Sequence, residues 1–97
     1  MSRQKLRKIA LDIETMRIRG AGKIARATAR ALQIVARESK AKNSKEFLKE
    51  IKTASEVLLK TRPTAVSLSN AVRYVTRDLS VKSDLEILRK SVVKRAN

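Results

Sequence analysis

Apolar residues recur at helical spacing in five stretches of the chain, separated by short polar breaks. The first stretch, about Ser2 to Met16, places Leu6, Ile9, Ala10 and Ile13 on one face, with Ser2 as a plausible N-cap. The second runs from near Gly22 to about Glu38 and inverts the usual proportions. Its polar residues form only a narrow stripe, Lys23, Arg26, Arg30, Gln33 and Arg37, while nearly everything else is apolar or small. A helix apolar around most of its girth is buried on several sides, so this stretch is expected to be the central helix. The third begins at Asn43, which stands three residues before Glu46 as in a capping box. It runs to about Lys60 with Phe47, Ile51, Ala54 and Leu58 inward, and Leu48 and Leu59 widening that face. Pro63 then breaks the pattern. It disfavours helix at Arg62 and suits the first turn of a fourth helix, running to about Arg77 with Ala65, Leu68, Ala71, Val72 and Val75 inward. Ser83-Asp84-Leu85-Glu86 reads as a second capping box, opening a fifth helix with Leu85, Leu88 and Val92 inward. No C-cap signal precedes Asn97, so this helix is expected to be truncated. The pattern predicts an all-α fold, a small bundle of about five helices.

Composition narrows the chemistry. Ninety-seven residues make one small domain with one core. Phe47 and Tyr74 are the only aromatics, so the core is built from Leu, Ile, Val and Ala. With no Cys and no His there is no disulfide, no thiol nucleophile and no imidazole base, and neither a metal site nor a cofactor is expected. No apolar run approaches the ~20 residues of a membrane span, and the basic start MSRQKLRK is not followed by a signal-peptide core. A cytoplasmic location and no membrane partner are the expectation. The net charge of +15 points to a polyanionic partner or to a solvated helical surface.

Both glycines of the chain fall in Ile18-Arg19-Gly20-Ala21-Gly22-Lys23, between the first two helices. The second helix spans about 25 Å at ~1.5 Å per residue, and the third should run back antiparallel after a short loop. The second and fourth helices then begin at the same end of the bundle. Each start follows an arginine: Arg19 before Gly20-Ala21-Gly22, and Arg62 before Pro63-Thr64. Helix N-termini offer free N–H groups and partial positive charge, glycine lets an anion approach the backbone, and Thr64 adds a hydroxyl. Two guanidiniums complete a candidate phosphate site of Arg19, Gly20, Ala21, Gly22, Arg62 and Thr64. The same residues also suit a tight interhelical turn and an ordinary helix start. The spacing of a Walker A loop is absent, since Lys23 is followed by Ile24.

IRGAGKIARA (18–27) and TRPTAVSLSNAVRYV (61–75) resemble two signature segments of one superfamily. It comprises the alpha, beta and delta regulatory subunits of translation initiation factor 2B, the archaeal ribose 1,5-bisphosphate isomerases and the methylthioribose 1-phosphate isomerases. The likeness is closest to the archaeal members, since the methylthioribose enzymes typically carry proline where this chain has Gly22. The resemblance implies an N-terminal helical domain, here 1–80, with 81–97 as the start of a connector helix to a Rossmann-like C-terminal domain absent from this chain. It implies that Arg19 to Gly22 contact a sugar phosphate and that Arg62 faces the same ligand. In the isomerases a Cys and an Asp of the C-terminal domain carry the chemistry, and this chain has neither that domain nor any Cys.

Three functions follow as expectations. The chain supplies half of a sugar-phosphate site and has no activity alone, with isomerase activity implied for a full-length, oligomeric protein. Alternatively it is a regulatory-subunit domain that binds initiation factor 2 through basic faces such as Lys5, Lys8, Arg26, Arg30 and Arg37. Third, it is a basic bundle that binds RNA. Isomerisation needs positioned acid and base groups. The nine acids mostly fall on outer faces or caps, and only Glu14 comes near the predicted anion site.

Overall fold

A computed structural model describes residues 2–96 of the chain. Five helices follow one another: α1 (Ser2–Glu14), α2 (Ala21–Glu38), α3 (Ser44–Thr61), α4 (Val66–Thr76) and α5 (Leu85–Arg95). No strand occurs among the described residues. Helix α2 packs against each of the other four, as its girth of apolar residues demands. Ile24, Thr28, Ala31, Leu32, Val35 and Ala36 are all buried along it. Thr28 resolves its burial by donating its hydroxyl to the Ile24 carbonyl (2.8 Å).

The core is one continuous cluster. Leu6, Ala10 and Ile13 come from α1, Phe47, Ile51, Ala54 and Leu58 from α3, Leu68, Val72 and Val75 from α4, and Leu88 and Val92 from α5. Their helical periodicity accounts for nearly all of them. The radius of gyration, 12.5 Å, matches the ~13 Å of a well-packed chain of about 100 residues. Ile9, Leu48, Ala65, Ala71 and Leu85 are only half-buried, and Leu59 is turned out of the core at 36% exposure.

Local details depart from the sequence reading in instructive ways. Ser2 is already the first helical residue, so a cap would fall on Met1, outside the described residues, as does any continuation of α5 into Asn97. Met16 fills no gap. It is 49% exposed with φ 66°, a left-handed position that ends α1, while the Ile18 N–H reaches back to the Asp12 carbonyl (2.9 Å). Asn43 does cap α3, accepting from the Glu46 N–H at 2.9 Å, and Glu46 answers by accepting from Lys42 N–H and the Asn43 side chain. At α5 the cap is Asp84, which accepts from Glu86 N–H at 3.0 Å. Ser83 instead presents its carbonyl to the Ser44 hydroxyl (2.5 Å), joining the starts of α3 and α5.

The fourth helix begins later than Pro63. Arg62 closes α3 and Ala65 is the N-cap of α4. Residues 62–65 form a turn closed by Ala65 N–H to the Arg62 carbonyl (2.9 Å). Proline's fixed φ suits the second position of such a turn as well as a helical first turn. Gln33 is the other correction. It stands in the polar stripe of α2, yet it is buried at 5% exposure because α5 docks over it, and its amide donates to the Val93 carbonyl (3.1 Å).

Candidate functional site: two uncapped helix starts

The ends of α1 and α3 lie side by side, since Ala10, Leu11 and Glu14 share a small cavity of about 250 Å³ with Val57, Lys60 and Thr61. A six-residue loop leads from α1 into α2, and Arg62 follows directly on α3. The beginnings of α2 and α4 are therefore at one end of the bundle, as the topology argument requires. The opposite end holds the α2 C-terminus and the starts of α3 and α5.

At the site end the helices are bare. Gly20 is the N-cap of α2 with φ 92° and ψ 136°, a conformation that glycine adopts without strain, and no side chain caps it. The first return bond is Ile24 N–H to the Gly20 carbonyl (3.0 Å). The N–H groups of Ala21, Gly22 and Lys23 take no protein partner among the described residues. Helix α4 begins at Ala65 with no side-chain cap either, leaving the N–H groups of Val66 and Ser67 open. No acid stands in the first turn of either helix.

Gly22 differs from Gly20. Its backbone is ordinary helix, and a Cβ there would meet nothing but the end of the Arg26 side chain, at 3.4 Å from Nη1. Neither conformation nor packing asks for glycine at this exposed position. A glycine in a helix costs about 0.5–1 kcal/mol against alanine, so the fold gains nothing from it.

Arg19, Gly20, Ala21, Gly22 and Thr64 are exposed and Arg62 is half-buried. No hydrogen bond or ion pair links the side chain of Arg19 or Arg62 to another described residue. Two open N-termini and two guanidiniums without a side-chain partner fall at this end of the bundle. Thr64 lies in the 62–65 turn, two residues before α4, with its hydroxyl unbonded. The arrangement suits a phosphate oxygen, which can accept from free N–H groups and bidentate guanidinium donors together.

Sequence reasoning passed over Arg89 of α5, which finishes the other end of α2. Its Nη1 donates to the carbonyls of Ala36 (3.0 Å), Arg37 (3.4 Å) and Ser39 (3.1 Å). Its guanidinium also lies 5.9 Å from the centroid of the Phe47 ring. Its position beside Leu88 is the sole trace in the sequence, and that does not say which carbonyls it reaches.

The fold is an all-α bundle in which two helices start without a side-chain cap. Residues 17–97 match the Initiation factor 2 subunit family, and the chain belongs to that family. It is 53% identical over 92 residues to ribose 1,5-bisphosphate isomerase of Pyrococcus furiosus, covering 91% of this chain and 28% of that protein. The isomerase of the same name from Haloferax volcanii is 50% identical over 92 residues, covering 95% of this chain and 28% of that one. Among solved structures, 5-methylthioribose 1-phosphate isomerase from Pyrococcus horikoshii superposes with a TM-score of 0.87 at 33% identity, covering 94% of this chain and 26% of the other. The chain thus spans a little over a quarter of the length of these relatives. No described helix is long and apolar enough to cross a membrane.

Proposed function

We propose that this chain is the helical phosphate-binding part of a sugar-phosphate isomerase acting on ribose 1,5-bisphosphate. Arg19 and Arg62 clamp a phosphate group of the ligand. The open N–H groups of Ala21 and Gly22 donate to its oxygens at the head of α2, and Thr64 stands beside the second helix start. Residues 81–97 lead toward a further domain that supplies the acid and base groups, so the 97 residues alone bind without turning over. Such an enzyme works in the cytoplasm.

The observation that carries this reading is Gly22. A helix-weakening residue sits in the first turn of the central helix with no φ and no neighbour to require it. Leaving out the Cβ clears the approach to the bare N–H groups. The similarity to proteins named ribose 1,5-bisphosphate isomerase supports the same ligand. It favours the isomerase over a regulatory domain that binds initiation factor 2, for which no separate feature of the bundle speaks.

A backbone-amide NMR titration with ribose 1,5-bisphosphate tests the proposal. Shifts should concentrate at Gly20, Gly22, Thr64 and Val66, exceed those caused by equimolar sulfate, and vanish in Arg19→Ala. Absence of any response at these amides at millimolar ligand would refute the half-site.

A further inference from the structure

Helix α2 is covered by α1, α3, α4 and α5 on all sides but one. The uncovered strip carries Lys23, Arg26, Arg30 and Arg37, all exposed, and no acid. Over fourteen residues at ~1.5 Å rise it extends about 21 Å, from the bare helix start to the opposite end. Gln33, inside the strip, is turned to α5, and that contact brings α5 along its edge. On the solvent side of α5, Lys90 and Lys94 are exposed and extend the cationic surface.

Three acids on the neighbouring helices and at the end of α2 are engaged with other cations. Glu38 accepts from Lys5 at 2.6 Å, Asp12 from Lys8 at 3.2 Å, and Glu86 lies 3.6 Å from Arg89. None of the four cations of the strip has a carboxylate partner among the described residues. Lys23 and Arg26 lie at i,i+3 and Arg26 and Arg30 at i,i+4, so like charges face one another along the helix. Lys23 and Arg26 also sit near the positive end of the helix dipole, where cations are disfavoured. Every one of these arrangements works against the free chain and is relieved by a polyanion laid along the strip. Helix α3, on the other side of α2, shows the alternative: Lys45, Lys49, Lys52 and Lys60 alternate with Glu46, Glu50 and Glu56.

We propose that the exposed strip of α2, with the adjoining lysines of α5, binds the phosphate backbone of double-stranded nucleic acid without reading its sequence. Three of the four strip cations are arginines, whose forked donors match phosphate. Their repeat of three to seven residues spreads the charge over about six base pairs of duplex at ~3.4 Å each. A single strand would call for exposed aromatics on which bases stack. Phe47 is buried, and Tyr74, on α4, already lies under the Arg77 guanidinium at 4.2 Å.

Fluorescence anisotropy with a labelled 20-base-pair RNA duplex, read from 50 to 200 mM salt, tests this on the intact chain. With about four phosphates neutralised, affinity should fall about a hundred-fold across that range. The triple variant Arg30→Gln/Arg37→Gln/Lys90→Gln should lower the logarithmic salt slope by about 2.7, with its helical circular dichroism unchanged. It spares the residues proposed to hold the sugar phosphate, so the titration of that site is unaffected. The charge-matched variant Lys45→Gln/Lys49→Gln/Lys52→Gln, on α3, should retain the slope. Equal losses in the two variants would reduce the effect to net charge and overturn the proposal. So would a lack of binding at 50 mM salt, or binding of polyglutamate as tight as that of the duplex, which would point to an acidic protein instead.

Discussion

At its C-terminal end α2 hands the carbonyls of Ala36, Arg37 and Ser39 to the Arg89 guanidinium; at its N-terminal end the N–H groups of Ala21, Gly22 and Lys23 meet no side chain. The first end is closed by a charge of the sign the helix dipole favours. The second is surrounded by charges of the sign it disfavours, from Arg19, Lys23 and Arg26. Helices α3 and α5 follow the first pattern at their starts, with Asn43 and Asp84 as caps and Glu46 and Glu86 in the first turn. The contrast shows that this chain has the means to finish a helix end, and that the ends left open share one side of the bundle. The starts of α3 and α5 are completed from within, and those of α2 and α4 are not.

The largest effect should come from breaking the closed end. Arg89→Ala should destabilise the fold by about 2–3 kcal/mol, because a charged donor to three carbonyls at the end of α2 is lost. Thermal unfolding followed by circular dichroism should then shift down by about 10–20 °C. An unchanged midpoint would mean that water replaces the guanidinium and that the two ends of α2 are equivalent.

The open end should respond in two opposite directions. Gly20→Ala forces a side chain into φ 92° and should cost about 1–3 kcal/mol. Gly22→Ala meets only a flexible guanidinium and should raise stability by about 0.5–1 kcal/mol while weakening phosphate binding. Chemical denaturation of both variants beside a ligand titration separates the conformational glycine from the one kept for access. A stability loss at Gly22→Ala would merge the two roles.

The smallest effect lies at the surface of the closed end. The Lys5 ammonium, hydrogen-bonded to Glu38, holds this carboxyl below its ordinary value although it stands at the negative end of α2. A lowered folded-state pKa means that its contribution is complete above the ordinary carboxylate range. It is lost as pH falls through the depressed folded value. Urea midpoints measured down that acid range should fall less steeply in Lys5→Ala than in the unaltered chain. Equal slopes would show that the pair adds nothing.

Much of the bundle was legible because its causes are local. Asn43 caps α3 through a bond to a residue three positions on, and Phe47, Ile51, Ala54 and Leu58 share a face by helical periodicity alone. The misreadings fall where a local preference had two outlets or where a distant element decided. Pro63 fits a helical first turn and an interhelical turn equally, and the short Arg62–Ala65 turn took it. Gln33 looks like a member of a solvated stripe until α5 covers it. Arg89 reaches residues fifty and more positions away, which no spacing in the sequence announces. For the candidate site, the glycines and arginines were visible. That only one of the two glycines is required by the backbone emerged from φ and open space.

Among the described residues three ion pairs are formed, in a chain with 24 Lys and Arg against 9 Asp and Glu. Most of the positive charge therefore has no partner in the protein. In solution it is balanced by a diffuse layer of small anions within about 8–10 Å of the surface. Dilution of the salt spreads that layer further from the surface, weakens its screening and lets the cationic faces repel one another through the fold. Any phosphate-bearing partner that arrives displaces those ions into the bulk, so part of the driving force for association resides in the solvent, stored there before the partner is met.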